Sequence, residues 1–170
     1  KFVKIWWEIK RVANLKEIRT STSKARQLML RAHQQKFAIG AFNIDSQDIL
    51  ISVIKAAAAL KAPVIINLSE SEADSIGLEN ARDLVDNYKE EYGVEAYLNS
   101  DHGPSVKLAK EAIDVGFEFV HIDISQKEHG ASLDEIIQKT KQVTEYARFT
   151  GAIVESEMHY FAGSSNLHTE

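Results

Sequence analysis

The chain has 170 residues, a formal net charge of −5 from 20 Lys and Arg against 25 Asp and Glu, 44% hydrophobic residues and no cysteine. That length buries a sizeable core, as one domain or as part of a larger one, and the composition is globular rather than disordered. The missing cysteines exclude disulfides and thiolate metal sites, the acidic balance offers nucleic acid no basic face, and no apolar run approaches the ~20 residues of a membrane helix.

Neither a nucleic acid nor a membrane is therefore expected as a partner, and cytoplasm is the default compartment. The chain begins at Lys1 rather than Met, which reads as a fragment or a processed start.

Taken in order, Phe2, Ile5, Trp6 and Ile9 fall at helical spacing, and residues 22–35 read as a second helix. Residues 1–21 are thus expected to form an N-terminal helical extension. Its apolar stripe packs on the rest of the fold or on a neighbouring subunit, with a membrane-surface helix as the lesser reading. From residue 36 onward two kinds of segment alternate. FAIGAFNI (37–44), PVIINLS (63–69), EAYLNSD (95–101), EFVHIDIS (118–125) and GAIVESEM (151–158) are short, apolar and bounded by turn or polar residues, as strands covered on both faces require.

Helical patterns fill the intervals. Residues 46–61 form one, stopped by Ala62-Pro63, and residues 72–92 form another, broken near Gly77. Ser105 caps a helix carrying Val106, Ala109, Ala112 and Ile113, which Gly116 ends. Ser132 and Glu135 make a capping box ahead of Leu133, Ile136, Ile137, Thr140 and Val143.

This β-α alternation predicts an α/β fold of parallel strands joined by right-handed crossovers. A doubly wound open sheet and a (β/α)8 TIM barrel both satisfy it. No glycine-rich dinucleotide fingerprint follows the first strand. Polar residues gather instead at predicted strand ends: Asn43, Ser69, Asp101 with His102, Asp123 with Ser125, and Glu157. A barrel carries its chemistry there. The reading is a TIM barrel of which about the first five β/α units are present, over residues 22–170.

Each of these residues also has a plainer role open to it. Asp101 and His102 could be a helix cap beside a loop histidine, Asp123 could cap the segment after it, and Ser69 could only start a helix. Glu155 and Glu157 share a strand face, so one of them could be a buried pair partner. His121 alternates with Asp123 and reads first as a packed core histidine. His129, His159 and His168 lie in polar stretches and read as solvated.

The segments AFNIDSQDIL, APVIINLSE, LNSDHGPS, AIDVGFEFVHIDIS and VESEM resemble, in order and spacing, those of the class II, metal-dependent fructose-bisphosphate aldolases, a family that includes the tagatose-bisphosphate aldolases. The Asp-His-Gly and Glu-x-Glu motifs are the specific parts. The resemblance implies a sugar-phosphate substrate, Zn2+ with a second divalent or monovalent cation as an option, and a homo-oligomer (dimer or tetramer) at full length. By position it implies that Asp101 is the general acid/base at the C4 hydroxyl and that His102 is one of three zinc histidines. Asp123 and Glu157 become carboxylates beside the metal, Ser69 a contact on the aldehyde side of the substrate, and Asn43 a residue lining the pocket.

The chemistry agrees with those types. Retro-aldol cleavage leaves negative charge on an oxygen that a Lewis acid stabilises, imidazoles hold zinc with positions open, and a carboxylate beside a cation moves the proton. Two local departures stand out: Asn99 occupies a position where the family commonly has histidine, and Met158-His159 stands where Glu-x-Glu usually continues with glycine. The family's other two zinc histidines lie beyond the position of Glu170. The expectation is therefore a piece of an aldehyde-lyase, with these residues alone inactive and weak for zinc. The alternative is a catalytically inactive aldolase-like protein that acts through partner assembly.

Overall fold

The computed structural model of the protein describes residues 2–125 and 131–158, with side chains from residue 15 onward. A long helix, α1 (Phe2–Gln35), leads into β1 (Gly40–Asn43), α2 (Gln47–Leu60), β2 (Val64–Leu68), α3 (Glu70–Ile76) and α4 (Leu78–Tyr92). Then follow β3 (Ala96–Gly103), α5 (Val106–Val115), β4 (Phe119–Ile122), α6 (Leu133–Ala147) and β5 (Ile153–Ser156). The strands form one parallel sheet in the order β1-β2-β3-β4-β5, with β1 and β5 as its edges. This is part of a (β/α) barrel.

Local signals place the elements. Ser46, Ser105 and Ser132 accept hydrogen bonds at the starts of α2, α5 and α6. Gly77, at φ 86°, separates α3 from α4, and Gly116, at φ 100°, closes α5.

Strand parity divides the packing. Val64, Ile66, Leu68, Ala96, Leu98, Val120 and Ile122 face the helices and form the main core with Leu50, Ile54, Val85, Ile113 and Val143. The alternate residues Ile65, Tyr97, Phe119 and Ile153 face the other way, where Ala25 and Leu28 of α1 cover them.

Helix α1 runs unbroken through Thr20, Ser21, Thr22 and Ser23, where two separate helices are expected from the sequence. Hydroxyl residues disfavour helix interiors because they compete for backbone groups. Here they are engaged otherwise: Thr20 Oγ1 donates to Lys16 O at 2.8 Å, Ser21 Oγ to Glu118 Oε1 at 2.5 Å, and Thr22 Oγ1 to Thr150 O at 2.8 Å. Arg19 Nε and Arg26 Nη2 add bonds to Phe149 O and Gly151 O at 2.9 and 3.1 Å. The Phe2, Ile5, Trp6 and Ile9 stripe and His129, His159 and His168 fall outside the described side chains.

Glu118 sits just before β4, fully buried. It accepts from Arg82 Nη1 at 2.9 and 3.0 Å, from Ser21 Oγ and from Leu98 N at 2.8 Å. One carboxylate thus ties α1, α4 and β3 together at the N-terminal ends of the strands.

Candidate metal centre

The Asp101-His102 pair poses a geometric problem, because neighbouring residues of a strand point to opposite faces. The backbone of β3 resolves it. Its register against β4 shifts between Ser100 and Gly103, and His102 adopts φ 46°, in the left-handed region. Such an irregularity re-aims a side chain, and the non-glycine residue at positive φ is held by its surroundings. His102 Nδ1 consequently reaches Asp123 Oδ2 at 2.9 Å and approaches Glu157 Oε2 at 3.9 Å. Gly103 suits the bulge: a Cβ there would meet the carbonyl oxygen of His121 at a tight 3.1 Å, and Gly103 O accepts the Asp123 N–H at 2.9 Å.

On β4 the same parity that turns Phe119 toward α1 carries His121 and Asp123 on the inner side, one layer after another. His121 is therefore buried, but not among the apolar side chains of the main core. Its Nδ1 lies 3.8 Å from Asp101 Oδ1, its ring centroid lies 4.4 Å from that of His102, and it pairs in register with Glu155 of β5. Its Nε2 is buried with no hydrogen-bond partner among the described residues. Asp123 is held by Ser125, whose N–H and hydroxyl donate to Oδ1 at 2.9 and 2.5 Å.

Asp101 accepts from Asn43 Nδ2 at 3.1 Å, and the same amide reaches Glu72 Oε2 at 3.4 Å. Glu72 also accepts the Ser69 N–H at 2.6 Å. Asn43, Asp101, His102, Asp123 and Glu157 thus meet at the C-terminal ends of the strands. Ser69, which starts α3, joins them through Glu72. Sequence reasoning passed over Glu72, and it read His121 first as a packed core histidine, with a place in the Asp123 layer as the lesser reading. Ser69-x-x-Glu72 has the capping-box spacing that could have found the first, and strand parity with Asp123 was the signal for the second.

Charge follows this geometry. For Asp101, burial works upward but is outweighed by the nearby His121 imidazole, by the Asn43 hydrogen bond and by the His102 charge, so its carboxyl lies below its ordinary range. Burial likewise opposes Asp123, yet Ser125 and His102 hold it low. Glu157 is pushed up, by burial first and then by Asp123.

One donor atom from each of His102, His121, Asp123 and Glu157 lies within 4.8 Å of the other three. Two imidazoles and two carboxylates suit a divalent ion that takes N and O ligands, and the orphaned, buried His121 Nε2 fits that use. Held there, a cation would sit beside an ionised carboxylate, Asp101, that is free to handle a proton.

The family model of class II fructose-bisphosphate aldolases matches residues 23–169. Fructose-bisphosphate aldolase of Geobacillus stearothermophilus is 32% identical over 144 residues, covering 83% of this chain and 49% of that protein. The 6-phospho-5-dehydro-2-deoxy-D-gluconate aldolase of Bacillus subtilis is 33% identical over 141 residues, covering 81% of this chain and 47% of that protein. The crystal structure of the YdjI aldolase from Escherichia coli superposes with a TM-score of 0.65 at 25% identity, over 74% of this chain and 48% of that one. The chain spans about half the length of the curated relatives it matches. It belongs to the class II fructose-bisphosphate aldolase family.

Proposed function

We propose that this chain forms the metal-holding and proton-transferring part of a class II ketose-bisphosphate aldolase. The reaction is reversible cleavage of fructose 1,6-bisphosphate or a related ketose bisphosphate to dihydroxyacetone phosphate and an aldehyde phosphate. The observation that carries this reading is Asp101 standing beside a four-donor cluster at the C-terminal ends of parallel strands, in a chain of this family.

His102 holds the metal, zinc by family likeness, with Asp123 and Glu157 beside it. The bound cation supplies Lewis-acid stabilisation of the charge that develops on the ketose oxygen. Asp101 takes the proton of the C4 hydroxyl as the C3–C4 bond breaks. The bonding pair stays with C3, leaving an enediolate, and C4 becomes the aldehyde carbon; in the synthetic direction Asp101 returns the proton. Asn43 orients Asp101 and lines the substrate side, while Ser69 contacts the aldehyde-side fragment. The division at residue 22, a homo-oligomer, and a cytoplasmic place in glycolysis or sugar-phosphate catabolism belong to the same reading and rest on the family likeness.

Substitution separates ligand from base. His102→Ala is expected to lose metal and activity together. Asp101→Ala is expected to keep its metal while cleavage slows roughly 10²–10⁴-fold, the usual contribution of a positioned acid/base. Metal content and ketose-bisphosphate cleavage measured on both variants decide. Equal loss of metal would make Asp101 a ligand and overturn the assignment.

A further inference from the structure

Glu72 does more than a helix cap requires. As the third residue of α3 it reaches back to the Ser69 N–H, with Oε2 at 2.6 Å, which satisfies one backbone donor at the start of the helix. The same oxygen also takes the Asn43 amide at 3.4 Å, and that amide donates to Asp101 Oδ2 at 3.1 Å. A cap alone has no use for the second bond. Glu72 is half-buried, and its Oε1 accepts no hydrogen bond among the described residues.

We propose that Glu72 is a specificity residue, accepting a hydrogen bond from the substrate hydroxyl next to the one that Asp101 deprotonates. That group is the C5 hydroxyl of the ketose, which becomes the C2 hydroxyl of the aldehyde fragment. The inference rests on the aldolase reading above and deepens it, because that reading assigns the aldehyde fragment no partner besides Ser69.

The geometry supports the assignment from two sides. Asn43 Nδ2 stands between the two carboxylates, so Asp101 and Glu72 are held about one amide, no further apart than those two bonds allow. Neighbouring hydroxyls of a sugar chain, each donating to a carboxylate oxygen at about 2.5–2.7 Å, can engage both. The bond to the Ser69 N–H then fixes which hydroxyl Glu72 meets. Ser69 contacts the aldehyde side, so the Glu72 carboxylate stands on that side of Asp101, toward C5 rather than C3.

A carboxylate can only accept. An aldehyde with hydrogen in place of the hydroxyl leaves that acceptor facing carbon as the site closes around the substrate, and an acceptor removed from water without a donor is costly. Asn43 acquires a second function from this arrangement: besides orienting Asp101, it keeps the two acceptors at a fixed spacing.

The test is condensation of dihydroxyacetone phosphate with two aldehydes by the Zn2+-loaded holoenzyme. One is glyceraldehyde 3-phosphate and the other is 3-oxopropyl phosphate, which lacks only the C2 hydroxyl. The quantity read is the ratio of their kcat/KM values in the parent, in Glu72→Gln and in Glu72→Ala; circular dichroism reports folding. The expected ratio favours glyceraldehyde 3-phosphate in the parent and falls roughly 10–100-fold in Glu72→Ala, the cost of a lost hydrogen bond to a carboxylate. It falls by less in Glu72→Gln, whose side-chain amide still pairs with a hydroxyl and preserves the bonds to Ser69 and Asn43. The Gln variant therefore reads the same point should Glu72→Ala fail to fold. Equal losses for both aldehydes, with the ratio at its parent value in every folded variant, make Glu72 a structural cap and overturn the inference. A parent that does not distinguish the two aldehydes also overturns it and leaves the aldolase reading standing. No condensation of either aldehyde by the parent overturns the aldolase reading itself.

Discussion

Tyr97 shows how one side chain can join the inner layer of the sheet to the chain's response to pH. Its ring packs edge-on to Phe119, with centroids 6.4 Å apart, and its hydroxyl donates to Glu95 Oε1 at 3.0 Å. Burial pushes the phenol above its ordinary value of 10.0, and the Glu95 carboxylate pushes further in the same direction. A folded-state value above the unfolded one means that the associated stability is complete below pH 10 and is lost as pH rises beyond it. Tyr97→Phe is therefore expected to be less stable by about 1 kcal/mol near neutrality, the cost of the lost hydrogen bond. That deficit should shrink above pH 10, where the unfolded tyrosine of the parent ionises. Denaturant midpoints of both proteins at pH 8 and pH 11 check this, and an identical deficit at both would remove Tyr97 from the alkaline response. Residues of this inner layer were only partly legible in sequence. In EFVHIDIS parity places Phe119, His121 and Asp123 on one face, but neighbours on both faces are apolar, so nothing in the string says which face meets the helices. Asp101, Asp123 and Glu157 stood out because carboxylates at strand ends have no apolar role to play.

At the scale of elements, the signals that worked were chemical and local. Ser105 with Gly116, Ser132 with Glu135, and Ala62-Pro63 each satisfy or remove particular backbone groups, and the helices start and stop where those residues sit. What could not be read was set by distant partners. The hydroxyl-rich stretch from Thr20 to Ser23 stays helical because Glu118 and Thr150 engage Ser21 and Thr22. The irregularity in β3 depends on β4 lying against it. Gly103→Ala tests that dependence. An added Cβ 3.1 Å from His121 O is tighter than ordinary contact and is expected to push β4 away from β3 by a few tenths of an ångström, a strain of about 1–3 kcal/mol. The same displacement moves His102 relative to Asp123. Thermal denaturation and Co2+ titration of Gly103→Ala are expected to show lower stability and weaker metal binding together. Full metal affinity in a destabilised variant would mean that His102 holds its position without help from the bulge.

Across the whole molecule, the two ends of the sheet have separate work. Barrel folds place chemistry at the C-terminal ends of the strands and stability at the N-terminal ends, and the distribution of buried charge here follows that division. The clustered carboxylates and imidazoles lie at one end, and the Arg82–Glu118 pair lies at the other, about five residues of strand or roughly 16 Å before Asp123. Glu118 satisfies donors from α1, α4 and β3, so its loss reaches three elements at once. Breaking a buried pair leaves its partner uncompensated at a cost of about 3–5 kcal/mol. Arg82 keeps Asp86 at 2.6 Å, which places Glu118→Gln toward the lower figure. The expected result is a protein several degrees less stable to heat whose Co2+ affinity, measured well below its melting temperature, equals that of the parent. The comparison with Gly103→Ala is what gives the measurement its force: both variants are expected to lose stability, but only the glycine substitution lies next to His102 and against the His121 carbonyl, within the proposed metal site. If Glu118→Gln also weakened Co2+ binding while remaining folded, the clamp under β4 would be setting the position of His121 and Asp123, and the two ends would have to be treated as one coupled unit.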